Sequence, residues 1–167
     1  DLGCSGGLNS IDNLKTCINT VRQINENISF HIYLEDTPAN DFEITKLNIE
    51  NGLQDYDQVN FTYLSKSFYE SLFPEESMDI IFSNTSVHWI RETPGLHDDL
   101  LFLDDGLDQN ETSVKWRNAG REDWNHFLNL REKELRKYGL MVICKMTVSR
   151  SEVLDQPFVA SSKYFVD

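Results

Sequence analysis

Apolar residues return every three or four positions from Leu8 onward, at Leu8, Ile11, Leu14, Ile18, Val21 and Ile24, and this spacing predicts an amphipathic helix. Asn9 or Ser10 stands where it can cap the start, because a short polar side chain accepts from the first free N–H groups. The period then changes to two. Ile28, Phe30, Ile32 and Leu34 alternate with polar neighbours up to Glu35-Asp36, as in a strand with one buried face. Pro38 and Asn40-Asp41 mark a turn, and a shorter helix is expected from Asp41 to about Asn51. Val59, Phe61 and Tyr63 predict a brief strand, Phe73-Pro74 closes the loop after it, and Met78 to Phe82 reads as a compact apolar strand.

From Gly95 to Asn110 the chain is acidic and without period, which predicts an exposed insertion or loop. A long helical pattern resumes near Glu111, with Trp124, Phe127, Leu128, Arg131 and Leu135 on one face. Arg136-Lys137 suits a helix C-terminus, Gly139 reads as its stop, and Leu140 to Val148 as a strand. Strands alternating with helices imply a parallel sheet with right-handed crossovers, so the fold class is α/β, doubly wound.

Composition narrows the partners. The 167 residues can enclose a core, and ten Phe, six Tyr and three Trp supply large groups for it. The formal charge of −13 repels phosphate backbones and anionic membrane surfaces, so neither a nucleic acid nor a membrane is expected as partner. Cys4, Cys17 and Cys144 are odd in number and widely spaced, which suits a reduced, cytoplasmic protein better than a disulfide scaffold. His31, His97 and His126 have no spacing that suits a metal, and none is expected.

The candidate chemistry begins at Asp1-Leu-Gly-Cys-Ser-Gly-Gly-Leu-Asn9, an acidic residue followed by a small-residue turn and then a helix. Glycines there let the backbone approach a ligand and take up positive φ, and the helix N-terminus favours an anion. Ligands of open α/β sheets sit outside the carboxyl ends of the strands, where Leu34-Glu35-Asp36-Thr37 and Phe82-Ser83-Asn84-Thr85 also end. An acidic residue closing the second strand can accept both ribose hydroxyls, which suggests a nucleoside-containing cofactor. No Gly-Lys-Ser/Thr comes after the turn, so it is not a P-loop, whereas a dinucleotide site stays open on the turn alone.

The opening nine residues resemble the first motif of the plant-type carboxyl methyltransferases, the salicylate/benzoate/theobromine (SABATH) family. Three further blocks stand in the family's order. Tyr33-Leu-Glu-Asp-Thr-Pro-Ala-Asn-Asp-Phe42 resembles its leucine-asparagine-aspartate-leucine-proline segment, and Ser67-Phe-Tyr-Glu-Ser-Leu-Phe-Pro74 its serine-phenylalanine-tyrosine loop. Phe82-Ser-Asn-Thr-Ser-Val-His-Trp89 resembles its serine-rich histidine-tryptophan block. Asp123-Trp-Asn-His-Phe-Leu, Arg131-Glu-Lys-Glu-Leu135 and Met141-Val142 match the family's next helix and strand, so the resemblance extends from Asp1 to Ser149.

The resemblance implies a Rossmann-like class I methyltransferase sheet, here lacking the first strand and the C-terminal capping part, as in a piece of a longer protein. It implies residues 1–150 as an S-adenosylmethionine-binding core and 151–167 as the start of a C-terminal segment. Gly3, Cys4, Ser5 and Asn9 would line the methionine moiety, with Asp1 beneath it. Asp36 would hold the ribose, Thr37 would flank the adenine, and Ser67 and Phe68 would contact it. Trp89 would donate its indole N–H to the carboxylate of a small-molecule acid, and His88 would line the acceptor pocket; a homodimer is compatible with this. A carboxylate is already nucleophilic at neutral pH, so catalysis would rest on positioning, worth roughly 7–11 kcal/mol.

Three positions depart from the family pattern. Thr37 replaces a leucine, Thr85 an aromatic residue three positions before the histidine, and Tyr138 a glycine. Thr85 therefore leaves a second reading, a catalytically inactive methyltransferase-like binding module. N-methylation is a third, since the family includes N-methyltransferases of purine alkaloids.

Overall fold

The α-helices and strands of the described residues are α1 (Ile11–Arg22), β1 (Phe30–Asp36), α2 (Phe42–Gly52), β2 (Val59–Ser65), β3 (Met78–Asn84), α3 (Glu111–Glu134) and β4 (Leu135–Cys144), close to where the apolar periods place them except at the junction of α3 and β4. The computed structural model describes residues 1–94 and 111–144. The expected acidic loop over 95–110, the strand beyond Cys144 and the segment 151–167 lie outside the described residues. The chain divides into two compact units, Asp1–Leu72 with Phe82–Asn84, and Phe73–Ile81 with Thr85–Asp167.

In the first unit β1 and β2 pair in parallel, in register from Phe30 opposite Val59 to Asp36 opposite Ser65. Asp1–Gly3 runs along the other edge of β1. The Glu35 N–H donates to the Asp1 carbonyl and the Gly3 N–H to the Glu35 carbonyl, both at 2.9 Å, and Leu2 bridges Glu35 in parallel. On its other side the Leu2 N–H reaches the Phe82 carbonyl at 2.9 Å. These residues therefore do the work of a strand between β1 and the end of β3. Leu14 and Ile18 of α1, Ile49 of α2 and Leu53 just past it pack with Ile32, Leu34 and Cys4 into one core. Each such large apolar side chain contributes roughly 1.5–3 kcal/mol by leaving water.

The entry to α1 differs from the expected one. Leu8–Ser10 forms a 3-10 turn, and neither Asn9 nor Ser10 caps the helix through its side chain. Ser10 is buried and donates its hydroxyl to the Asp1 carboxylate instead. The tighter turn also rotates Leu8 off the apolar face, leaving it 66% exposed. By contrast α2, expected from Asp41, begins at Phe42 with Asp41 as its cap, the Asp41 carboxylate accepting from the Glu43 and Ile44 N–H groups at 3.2 and 3.3 Å.

β3 and β4 form a two-stranded sheet, with Met78–Ile81 of β3 in the second unit. The buried stripe of α3 is Asp123, Phe127, Arg131 and Glu134; Phe127 and Arg131 lie on the expected face, whereas Trp124, Leu128 and Leu135 flank it half-buried. The helix ends at Glu134, before Arg136-Lys137. Backbone N–H groups of Glu76 and Ser77 take the Lys133 and Glu134 carbonyls at 2.8 and 2.9 Å, which ends the helical ladder there. Gly139 accordingly stands inside β4 and is no helix stop. A Cβ on it would meet the Arg136 and Met78 carbonyl oxygens at 2.9 and 3.1 Å, so the close approach explains the glycine. Arg131 and Glu134, 0% and 2% exposed, form an ion pair of 2.8 Å, and Glu134 also accepts from the Phe73 N–H at 3.2 Å.

Candidate cofactor site

Within Asp1–Asn9 the strand-like Asp1–Gly3 commits its backbone groups to β1, so the chain must reverse sharply between Gly3 and α1. Gly3 and Gly7 provide φ of 73° and 80°. At Gly7 a Cβ would also lie 2.9 Å from Ile49, so α2 packs directly on the turn. Gly6 is not a positive-φ position; Ser5 takes that role with φ of 48°. The exposed Ser5 holds this costly conformation because both of its backbone polar groups are bonded. Its N–H donates to Asp36 Oδ2 at 2.7 Å, and its carbonyl accepts from Thr45 Oγ1 at 2.6 Å and Asn40 Nδ2 at 3.1 Å.

Asp36 closes β1 and is half-buried. Its other carboxylate oxygen accepts from the Thr37 N–H at 2.7 Å. A carboxylate has about four acceptor positions, so two backbone donors orient the group and leave capacity for a diol. The Asp36 carbonyl accepts from the Lys66 N–H at 3.0 Å, which ties the end of β2, and with it the Ser67–Tyr69 turn, to the same end of the sheet. Ser67 Oγ accepts from the Tyr69 N–H at 3.2 Å. Phe68 is buried at 6% exposure, its ring 4.8 Å from that of Tyr69.

Asp1, Gly3, Ser5, Asp36 and Thr37 are thus joined by direct bonds or chain neighbours, and Ser67 and Phe68 reach the same strand ends. Cys4 contributes its backbone here, since its side chain lies in the core. Burial, and after it the Asp36 charge, push the Cys4 thiol up to about 12, which keeps it protonated and removes it as a nucleophile. Asn9 is exposed on the 3-10 turn. His88 and Trp89 belong to the second unit, where both are exposed, Trp89 at 69%, with rings 5.0 Å apart. They come after Thr85, a β-branched residue at φ of 59° whose N–H donates to the Cys144 carbonyl at 2.7 Å. Partial desolvation lowers the His88 pKa, so the imidazole is neutral at neutral pH.

Four residues that hold the turn escaped the sequence reading. Glu35 is fully buried beneath it and accepts from the Gly3 N–H at 3.1 Å. Ser10 bonds Asp1, and Thr45 and Asn48 of α2 bond the Ser5 and Gly6 carbonyls, the latter at 2.7 Å. A spacing of three on a predicted helix is a visible signal for the last two, but nothing local says which way that face turns. Among the described residues no group of three or more His, Cys, Asp or Glu could hold a metal ion. No helix among them is long and apolar enough to cross a membrane.

An α/β sheet with a Gly-rich first turn and an acidic residue closing the next strand defines a nucleoside-cofactor fold. The model of the SAM dependent carboxyl methyltransferases matches residues 1–166, and the chain belongs to that family. Its relatives include monomethylxanthine methyltransferase 2 of Coffea arabica, 29% identical in an alignment of 177 positions, gaps included, that covers 87% of this chain and 45% of the relative. Salicylate carboxymethyltransferase of Clarkia breweri is 30% identical in an alignment of 155 positions that covers 86% of this chain and 42% of the relative. The structure is similar to that of a loganic acid methyltransferase with SAH, at a TM-score of 0.74 and 24% identity, covering 92% of this chain and 45% of that one. That likeness shows the fold. The chain spans less than half the length of the relatives it matches.

Proposed function

We propose that the protein is an S-adenosylmethionine-dependent methyltransferase that methylates the carboxylate of a small-molecule acid. The observation that carries this is Asp36, closed over the turn by Ser5 and Thr37 amides at the end of β1, in a chain of this family. The residues fit the cofactor: Asp36 has acceptor capacity for the ribose hydroxyls, Thr37 stands beside it, and Ser67 and Phe68 are the groups for the adenine. Gly3, Cys4, Ser5 and Asn9 present the turn to the methionine part, above Asp1. S-adenosylmethionine supplies a methyl group on a cationic sulfur. The chain's own share is then binding and alignment, because a carboxylate acceptor at neutral pH has no proton to give up. Trp89 Nε1 is the donor proposed for the acceptor carboxylate, and His88 lines that pocket. Residues 1–150 form the cofactor-binding core in this reading, and 151–167 begin a further segment.

One observation favours N-methylation as the second reading. His88 is neutral at neutral pH and can take a proton from a ring nitrogen, and a monomethylxanthine methyltransferase is among the relatives. Transfer of labelled methyl from S-adenosylmethionine to a panel of carboxylic acids and xanthines separates the two. Carboxyl methylation gives an ester and a rate independent of the His88 titration; N-methylation gives a base-stable product and a rate that falls as His88 protonates at acid pH. Cofactor binding without transfer to any member of the panel identifies the inactive binding module instead.

A further inference from the structure

We propose that Thr45 and Asn48 of α2 are positioning residues for the cofactor turn, setting its affinity without touching the ligand. The inference rests on the cofactor reading of the turn. Three side chains grip the turn from the α2 side. Thr45 Oγ1 and Asn40 Nδ2 converge on the Ser5 carbonyl at 2.6 and 3.1 Å, and Asn48 Nδ2 donates to the Gly6 carbonyl at 2.7 Å. Asn40 Nδ2 also donates to Thr45 Oγ1 at 3.1 Å, so the donors are braced against one another. Thr45 is fully buried, which makes its bond to a carbonyl costly to leave unmade.

The grip falls on the residues that need it. Ser5 is held at φ of 48°, and the next two residues carry the chain to Gly7 at φ of 80° against Ile49. Without the α2 donors the Ser5 carbonyl is free to rotate, its φ relaxes to the ordinary negative range, and its N–H leaves Asp36 Oδ2. The loss at Thr45 is thereby transmitted to the carboxylate that meets the ribose. Asp36 orients the turn from the β1 side and Thr45 with Asn48 from the α2 side, and the bound geometry requires both.

The test measures S-adenosylhomocysteine affinity by calorimetry on wild type, Thr45→Val, Thr45→Ser, Asn48→Ala and Ile18→Val, each at a temperature where it is fully folded. Thr45→Val and Asn48→Ala are expected to weaken binding at least about fivefold, and Thr45→Ser, which keeps the hydroxyl, to restore it to within about twofold. Ile18→Val removes one methylene from the core and no hydrogen bond to the turn, so it lowers the melting temperature and leaves affinity unchanged. Should Thr45→Val not fold, Asn48→Ala at its half-buried position carries the same test. Wild-type binding with unchanged affinity in Thr45→Val or Asn48→Ala overturns the positioning role alone. A wild type that does not bind overturns the cofactor reading and the positioning role with it.

Discussion

The Ser5 N–H and the Asp36 carboxylate are 2.7 Å apart and join two stretches 31 residues distant in sequence. The bond fixes a left-handed serine and an acidic strand end in one geometry. Either residue alone is an ordinary turn or strand terminus, and the bond is what holds the two together.

Gly7→Ala is expected to destabilise the protein by about 2 kcal/mol, the sum of a left-handed backbone penalty and a forced overlap with Ile49. Denaturant unfolding reads this directly. A change under about 0.5 kcal/mol means that the turn shifts freely and is not clamped against α2.

Tyr138→Gly is expected to act in the opposite direction. Tyr138 is 92% exposed at φ of 68°, so its side chain buries almost nothing while its backbone carries a left-handed penalty of about 1 kcal/mol. A rise in unfolding free energy of about 0.5–1 kcal/mol is predicted. The same strain explains why the family pattern has glycine there, a departure the sequence displays without giving its reason.

Glu134→Gln should cost roughly 3–5 kcal/mol, because it leaves the fully buried Arg131 guanidinium facing a neutral amide. Arg131→Met with Glu134→Leu removes both charges, and is expected to recover most of that loss in thermal unfolding.

Stability should decline between pH 9 and 12. Burial raises Cys4 from 9.0 to about 12 and Tyr63 from 10.0 to about 12, so the folded state retains protons that the unfolded chain releases. The stabilising difference is present below the unfolded values and is lost as pH rises towards the folded ones. Thiol labelling at pH 8 checks the same point: Cys4 stays unmodified while the protein is folded and reacts on unfolding.

Much of the fold was legible because its signals are local. The periods at Ile11 to Val21 and Phe30 to Leu34 depend only on neighbours along the chain, as does the turn signal at Asn40-Asp41 ahead of α2. The errors arose where a distant segment decides. The end of α3 is set by the amides of Glu76 and Ser77, and the entry to α1 by the Asp1 carboxylate that captures Ser10. The site divides in the same way. Asp1, Gly3 and Asp36 stand in motifs, whereas Thr45 and Asn48 lie outside them and act through the tertiary approach of α2 to the turn.

The most direct measurement is calorimetric titration of the protein with S-adenosylhomocysteine, for wild type and Asp36→Ala. Saturable binding at one site per chain is predicted for wild type, weakened at least about tenfold, or about 1.4 kcal/mol, in a folded Asp36→Ala variant. No binding by folded wild type, or equal binding by the two, contradicts the assignment of this turn and strand end as the cofactor site.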